Sequence, residues 1–109
     1  DVGDEVLKLV ASTLVNASRP FDLYGRWGGE EFIGIIRNIT IENLGPMAER
    51  LRMLIENSAL SHEGEELRVT ISMGATMVNE NDTVETVVKR ADTLLYESKH
   101  QGRNRVTLG

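Results

Sequence analysis

The chain has no cysteine among its 109 residues, and only two prolines and one tryptophan. Without thiols, neither disulfides nor thiolate metal sites are possible. No apolar run approaches the roughly 20 residues that a membrane-spanning helix needs. No signal-peptide pattern opens the chain either, so the expected compartment is the cytoplasm. Positive charge is also in short supply: 12 Lys and Arg stand against 17 Asp and Glu, a formal net charge of −5. That excludes a general nucleic-acid coat, because binding along a phosphate backbone needs a basic surface. A mononucleotide remains open, since it needs only a few well-placed cations and a metal ion. Repeats, low-complexity tracts and linkers are absent too. What is present is an ordinary globular composition, 40% hydrophobic and 27% charged, of a length that fits one domain with a small core. The chain opens at Asp1 rather than Met and reads as a fragment of something longer, whose remainder could carry targeting elements.

Residues 4–18 place Leu7, Val10, Ala11 and Leu14 at helical spacing, and Pro20 ends that helix. Phe21 to Trp27 and Phe32 to Arg37 are short runs of aromatic and β-branched residues around Gly28-Gly29, a β-hairpin signal. A second helix over 43–57 stacks Leu44, Met47, Ala48, Leu51, Leu54 and Ile55, with Pro46 tolerated in its first turn. Residues 59–67 read as a loop or a minor hairpin around Gly64. Val69 to Met77 alternates apolar and small polar residues and predicts a strand with one buried face. Asp82 with Glu85 marks a helix start, Val84 to Leu95 continues it, and Gly102 suits its end. Arg105 to Leu108 is a short last strand. Helices and strands mixed in this order predict an α+β sandwich.

Three groups could carry chemistry. The first is Gly28-Gly29-Glu30-Glu31-Phe32. Two glycines let a ligand approach the backbone, and two carboxylates at a turn suit a hard cation shared with phosphates; the plain alternative is a solvated acidic turn. The second is Lys99, Arg103 and Arg105 around Gly102; Lys99 and Arg103, four apart, would share a helix face if the helix ran on, and two cations there could hold a triphosphate. Basic residues also favour helix C-termini through the macrodipole, which is the plain alternative. The third is Arg19-Pro20-Phe21-Asp22, readable as a helix end with a local ion pair. Asp4 reads as a cap or first-turn acid, and His62 and His100 as isolated surface residues.

Taken together the pieces resemble one family. Arg26-Trp27-Gly28-Gly29-Glu30-Glu31-Phe32 is similar to the signature of GGDEF domains, in the GGEEF form. Ala91 to Val106 (ADTLLYESKHQGRNRV) is similar to the family's C-terminal block, Val69 to Ala75 (VTISMGA) to the strand between, and Gly3-Asp4 to the end of an upstream Gly-Asp stretch. The resemblance spans the whole chain. It implies a ferredoxin-like, polymerase-palm-like antiparallel sheet flanked by helices. It also implies diguanylate cyclase activity, the condensation of two GTP into cyclic di-GMP with loss of two pyrophosphates. Glu30 would be a metal ligand and assist deprotonation of the attacking 3′-hydroxyl, with Glu31 beside the metal, Mg²⁺ or Mn²⁺. Gly28 and Gly29 would let the nucleotide lie against the hairpin, Asp4 would read the guanine edge, and Lys99 and Arg103 would bind the β- and γ-phosphates. Arg19 and Asp22 match the family's RxxD inhibitory site for cyclic di-GMP, with Arg50 as a further member. Each domain would hold one GTP, so a homodimer would complete the active site, governed by an upstream sensory or receiver domain.

The chain departs from the family at its start. The Asp-x-Asp-x-Phe strand, which carries the other metal-binding carboxylate, and the helix after it are absent. By resemblance that first central strand would lie between the Phe32–Arg37 and Val69–Met77 strands. The fragment by itself is therefore expected to be inactive. Its sheet is expected to close across the gap, pair with another chain or borrow a strand. Two other readings compete: a cyclic di-GMP receptor that binds at Arg19 and Asp22 without chemistry, and a regulatory pairing module that binds GTP or a partner domain.

Overall fold

A computed structural model describes residues 1–109. In chain order the elements are α1 (Val2–Ala17), β1 (Leu23–Gly28), β2 (Glu31–Ile35), α2 (Ile41–Glu56), β3 (Ala59–His62), β4 (Glu65–Arg68), β5 (Met73–Ala75), α3 (Val84–His100) and β6 (Val106–Leu108). The α+β class expected from the sequence is the class observed. The strands form three separate two-stranded ladders, β1–β2, β3–β4 and β5–β6. The first two are antiparallel, whereas β5 and β6 run parallel, Met73 opposite Val106 and Ala75 opposite Leu108. The antiparallel pairing expected of the sheet holds at β1–β2 and β3–β4, and the C-terminal pair adds a parallel ladder. That pair is joined by the 17-residue helix α3, and a helical crossover returns the chain in the same direction.

The core lies between α1, α2 and one face of the strands. Val10 and Leu14 of α1 meet Leu51 and Ile55 of α2, and Tyr24, Phe32, Ile71 and Met73 pack against them. These residues are the apolar stripes read from the sequence, brought to one side of the strand layer. α3 covers the other side of β5–β6. Its Ser98, fully buried, donates to the Met73 carbonyl at 2.7 Å and shares a hydrogen bond with the Thr107 hydroxyl at 2.6 Å. Gly74 lies directly beneath the α3 backbone.

Of the three outcomes expected for the sheet, closure across the gap does not occur: β2 and β5 do not pair with each other. The helices explain why. Tyr24 and Phe32 tie the hairpin to the α1–α2 core, while β5 is held between α2 and α3, so bringing the two edges together would pull one of them out of its packing. The outer face of the hairpin stays uncovered, with Leu23 and Ile35, directly opposite each other, 61% and 56% exposed.

Two local expectations also change. The strand read over Val69–Met77 shrinks to three residues, because Val69 and Ile71 are drawn toward the helical core without a ladder partner. α3 starts at a capping box of Thr83 and Thr86, not at Asp82 and Glu85.

Asp82 has another task. Its carboxylate accepts from Arg90 Nη1 and Nη2 at 3.0 and 2.6 Å, from the Asn79 amide at 2.9 Å and from the Thr86 hydroxyl at 2.9 Å. Arg90 also donates to the Thr76 hydroxyl and the Met77 carbonyl, locking the β5–α3 connection. The Arg90 guanidinium first, then the Asn79 amide and the Thr86 hydroxyl, hold this carboxyl well below the usual carboxylate range. A depressed carboxyl stabilises the fold above its unfolded pKa, about 3.9, and the contribution is lost as pH falls. Asp82→Asn is therefore expected to lower the melting temperature at pH 7. Its deficit against the parent should shrink as the pH of the melt is taken down from about 4.

Candidate active site

The signature occupies the tip of the β1–β2 hairpin. Arg26 is opposite Phe32 and Gly28 opposite Glu31, so Trp27 is an extra residue, a bulge that re-aims the tip. Gly29 and Glu30 form the two-residue turn, and Gly29 takes φ 53°, as the first position of a tight hairpin turn requires. Arg26 reaches across and donates from Nε to the Gly29 carbonyl at 2.8 Å, clamping the turn. Gly28 differs from its neighbour. Its φ is not positive, and a Cβ there would meet nothing within 4 Å. Nothing inside this fold requires glycine at 28, so the bare backbone leaves room for something outside it.

Glu31 and Lys99, 68 residues apart, come together: Lys99 Nζ donates to Glu31 Oε2 at 3.4 Å. The end of α3 thus meets the hairpin tip. Glu30 is exposed and has no hydrogen bond or ion pair. Arg103 does not share a helix face with Lys99, because α3 ends at His100. Gly102 turns left-handed at φ 117°, and the Arg103 amide donates back to the Ser98 carbonyl at 3.0 Å, a Schellman closure. The Arg103 guanidinium is exposed and has no partner in the chain.

Asp4 sits in the first turn of α1, where its amide donates to the Asp1 carboxylate at 2.9 Å. It lines a groove of about 350 Å³ between α1 and the hairpin, whose walls include Lys8, Ala11, Tyr24, Arg26 and Phe32. The groove offers an apolar floor with charged groups at its rim, a form suited to a planar ligand with polar edges.

Arg19 and Asp22 are joined at the turn after α1. Arg19 donates from Nε and Nη2 to the two Asp22 oxygens, both at 3.2 Å, and from Nη2 to the Arg37 carbonyl at 2.7 Å. The Arg19 hydrogen bond is the main reason the Asp22 carboxyl lies below its ordinary value. Phe21 between them is exposed, at φ 72°. Arg50 is not brought to this pair by any hydrogen bond or ion pair; it lines a shallow depression on α2 with Pro46, Glu49 and Met53.

Glu30 and Glu31 stand side by side at the hairpin tip, Glu31 paired with Lys99, and no group of three or more His, Cys, Asp or Glu side chains that could hold a metal ion exists in the chain. Mg²⁺ is commonly held by one or two protein carboxylates, with water and substrate phosphates completing its shell, so this pair suits part of such a site. Sequence reasoning missed Arg26, and it missed Arg52, Glu56 and Asn104, which are joined to one another beside Arg103. Their contacts span up to 52 residues, beyond the reach of local periodicity.

Comparison with known proteins bears on this geometry. The family profile described as "Diguanylate cyclase, GGDEF domain" matches residues 1–105. Diguanylate cyclase A of Treponema denticola is 41% identical over 107 residues, covering 97% of this chain and 29% of that protein. A crystal structure of the diguanylate cyclase SiaD from Pseudomonas aeruginosa, in complex with its activator SiaC, superimposes with a TM-score of 0.92 at 35% identity, over 97% of this chain and 41% of that one. The GGDEF domain of DgcB from Caulobacter crescentus, in complex with c-di-GMP, superimposes with a TM-score of 0.91 at 32% identity, over 98% and 64%. The chain therefore spans less than a third of the length of the full-length cyclase it matches.

Proposed function

We propose, from the premise that this chain belongs to the GGDEF domain family of diguanylate cyclases, that it is the nucleotide-binding part of an enzyme condensing two GTP into cyclic di-GMP and two pyrophosphates. The observation that carries the reading is the meeting of the Gly28-Gly29-Glu30-Glu31 turn with Lys99, at 3.4 Å, beside an unobstructed Gly28. One acidic and one basic element converge there, as a metal–triphosphate requires.

In this reading the guanine base enters the groove between α1 and the hairpin, where the Asp4 carboxylate accepts hydrogen bonds from the base edge. The triphosphate runs along Gly28 and Gly29 toward Lys99 and Arg103, which hold its β- and γ-phosphates. Glu30 and Glu31 would hold Mg²⁺ or Mn²⁺, whose chemistry is to activate the 3′-hydroxyl and neutralise charge on the leaving pyrophosphate. Glu30 would accept the hydroxyl proton in this reading. Water and substrate phosphates would complete the shell that these two carboxylates begin. Two domains face each other, each hydroxyl attacking the other's α-phosphorus, and an upstream sensory or receiver domain sets that geometry. No helix is long and apolar enough to cross a membrane, and a GTP-consuming domain works in the cytoplasm.

The full-length protein, incubated with GTP and Mg²⁺ and analysed by chromatography, is expected to yield cyclic di-GMP. Absence of product under every dimerising condition would overturn the reading.

A second reading, control by bound cyclic di-GMP, rests on the Arg19–Asp22 pair on its tight turn, in which the Arg19 side chain is 44% exposed while the Asp22 carboxylate is buried against it. Arg19→Ala is expected to weaken cyclic di-GMP binding by at least about tenfold, as loss of a charge-assisted contact does. The initial rate at low product should be unchanged. Binding titrations with unaltered affinity would remove the site from Arg19.

A further inference from the structure

The turn after α3 is held in an unfavourable backbone state. Gly102, Arg103 and Asn104 take φ of 117°, 65° and 48° in succession. Glycine adopts such angles freely, but arginine does so only when its surroundings impose them. The surroundings here are specific. The Arg103 amide is fixed to the Ser98 carbonyl at 3.0 Å, and the Asn104 amide donates to the Ser72 hydroxyl at 3.2 Å. Both ends of the Asn104 side chain are then taken by charged groups of α2. Arg52 Nη1 donates to its carbonyl oxygen at 2.7 Å, and its amide nitrogen donates to a Glu56 oxygen. That last hydrogen bond is the main cause of the depressed Glu56 carboxyl. Arg52, its side chain only 13% exposed, is itself held by Glu49 and Glu56.

Of the three residues in the left-handed stretch, Arg103 is the one whose side chain projects without a partner, on a backbone fixed on both sides. A cation presented on a preset backbone loses less freedom on meeting an anion. We propose that Asn104, acting with Glu56 and Arg52, is a positioning residue that aims Arg103 at the terminal phosphates of the nucleotide. The inference rests on the nucleotide reading above and deepens it. Asn104 touches no phosphate; its effect passes through the turn. Asparagine is suited to the position because it tolerates a left-handed backbone and offers an acceptor and a donor together.

The test uses the full-length protein and two probes, 3′-deoxy-GTP, which has no attacking hydroxyl, and GMP, which has no β- or γ-phosphate. The readout is the ratio of their affinities. Asn104→Gly keeps the backbone angle accessible and removes the amide. It is expected to lower the triphosphate preference by about tenfold, the scale of a misplaced ligand group, with GMP affinity unchanged. Arg103→Ala should do the same, and the double variant no more than either. Glu56→Gln keeps an acceptor for Asn104 and should preserve the preference, whereas Glu56→Ala should lose it. This pair decides the matter if Asn104→Gly does not fold. Unchanged preference in Asn104→Gly and Glu56→Ala, alongside a loss in Arg103→Ala, overturns the positioning role and leaves the nucleotide reading standing. Equal weakening of both probes reduces Asn104 to a structural residue and likewise overturns it. A wild-type protein with no triphosphate preference overturns both readings.

Discussion

Replacing Glu30 with alanine is expected to lower cyclic di-GMP formation by the full-length protein about a thousandfold, the scale of lost general-base assistance. The same change should leave stability within about 0.5 kcal/mol of the parent, as surface substitutions do. The pairing of these two outcomes makes the experiment informative. Glu30 is the second residue of the hairpin turn, exposed, and without a hydrogen bond or ion pair. Alanine there removes nothing the fold uses, so a large loss has to come from chemistry. Glu31 would be a poorer probe, because its carboxylate also anchors Lys99 and its removal mixes two effects. Initial rates by chromatography and a thermal melt of the same sample check both halves. Product formation within a few-fold of the parent would return Glu30 to a solvated turn acid. Undiminished cyclic di-GMP binding with no synthesis in either protein would favour the receptor.

The parts of the molecule governed by local pattern were legible in the sequence. Val10 and Leu14, then Leu51 and Ile55, lie on one stripe each because a helix repeats every 3.6 residues, and those residues meet in the core. Gly28-Gly29 between two apolar runs marked the hairpin for an equally local reason, the positive φ at Gly29. The minor hairpin around Gly64 had been open between two readings and is a true ladder, β3–β4. What stayed hidden depends on partners far along the chain. Val69 and Ile71 alternate like a strand, yet alternation reports only which side chains are buried; it does not supply a neighbouring strand. The same holds at the site. The carboxylates and cations could be named, but the joining of Glu31 to Lys99 needs the whole path of α3 back to the hairpin. Asn104 carried no signal of its own. Its value comes from Arg52 and Glu56, one turn apart on α2, which no spacing rule connects to residue 104.

Gly74→Ala is expected to be strongly destabilising, costing about 3 kcal/mol, the upper range for overpacking a tight site. A Cβ at position 74 would lie 2.4 Å from both the Ala91 carbonyl oxygen and the Leu95 nitrogen, and 2.8 Å from the Leu94 carbonyl carbon. All three are backbone atoms of α3, so no side chain can turn aside; helix and strand must separate as bodies. Separation would strain the bonds from buried Ser98 to the Met73 carbonyl and the Thr107 hydroxyl. It would also break register with what lies beyond, since Ser98 is followed by Lys99 and accepts the Arg103 amide. The substitution should therefore weaken triphosphate binding along with the fold, although residue 74 is outside the site. Denaturant unfolding of this variant, measured beside Gly28→Ala as a control with no Cβ contact within 4 Å, separates the two kinds of glycine. At 74 the bare backbone serves helix packing, and stability should fall. At 28 the fold makes no such demand, and stability should hold. A variant at 74 as stable as the parent would mean that α3 can ride higher on β5, and the coupling drawn here between the strand and the phosphate-binding end of the helix would fail.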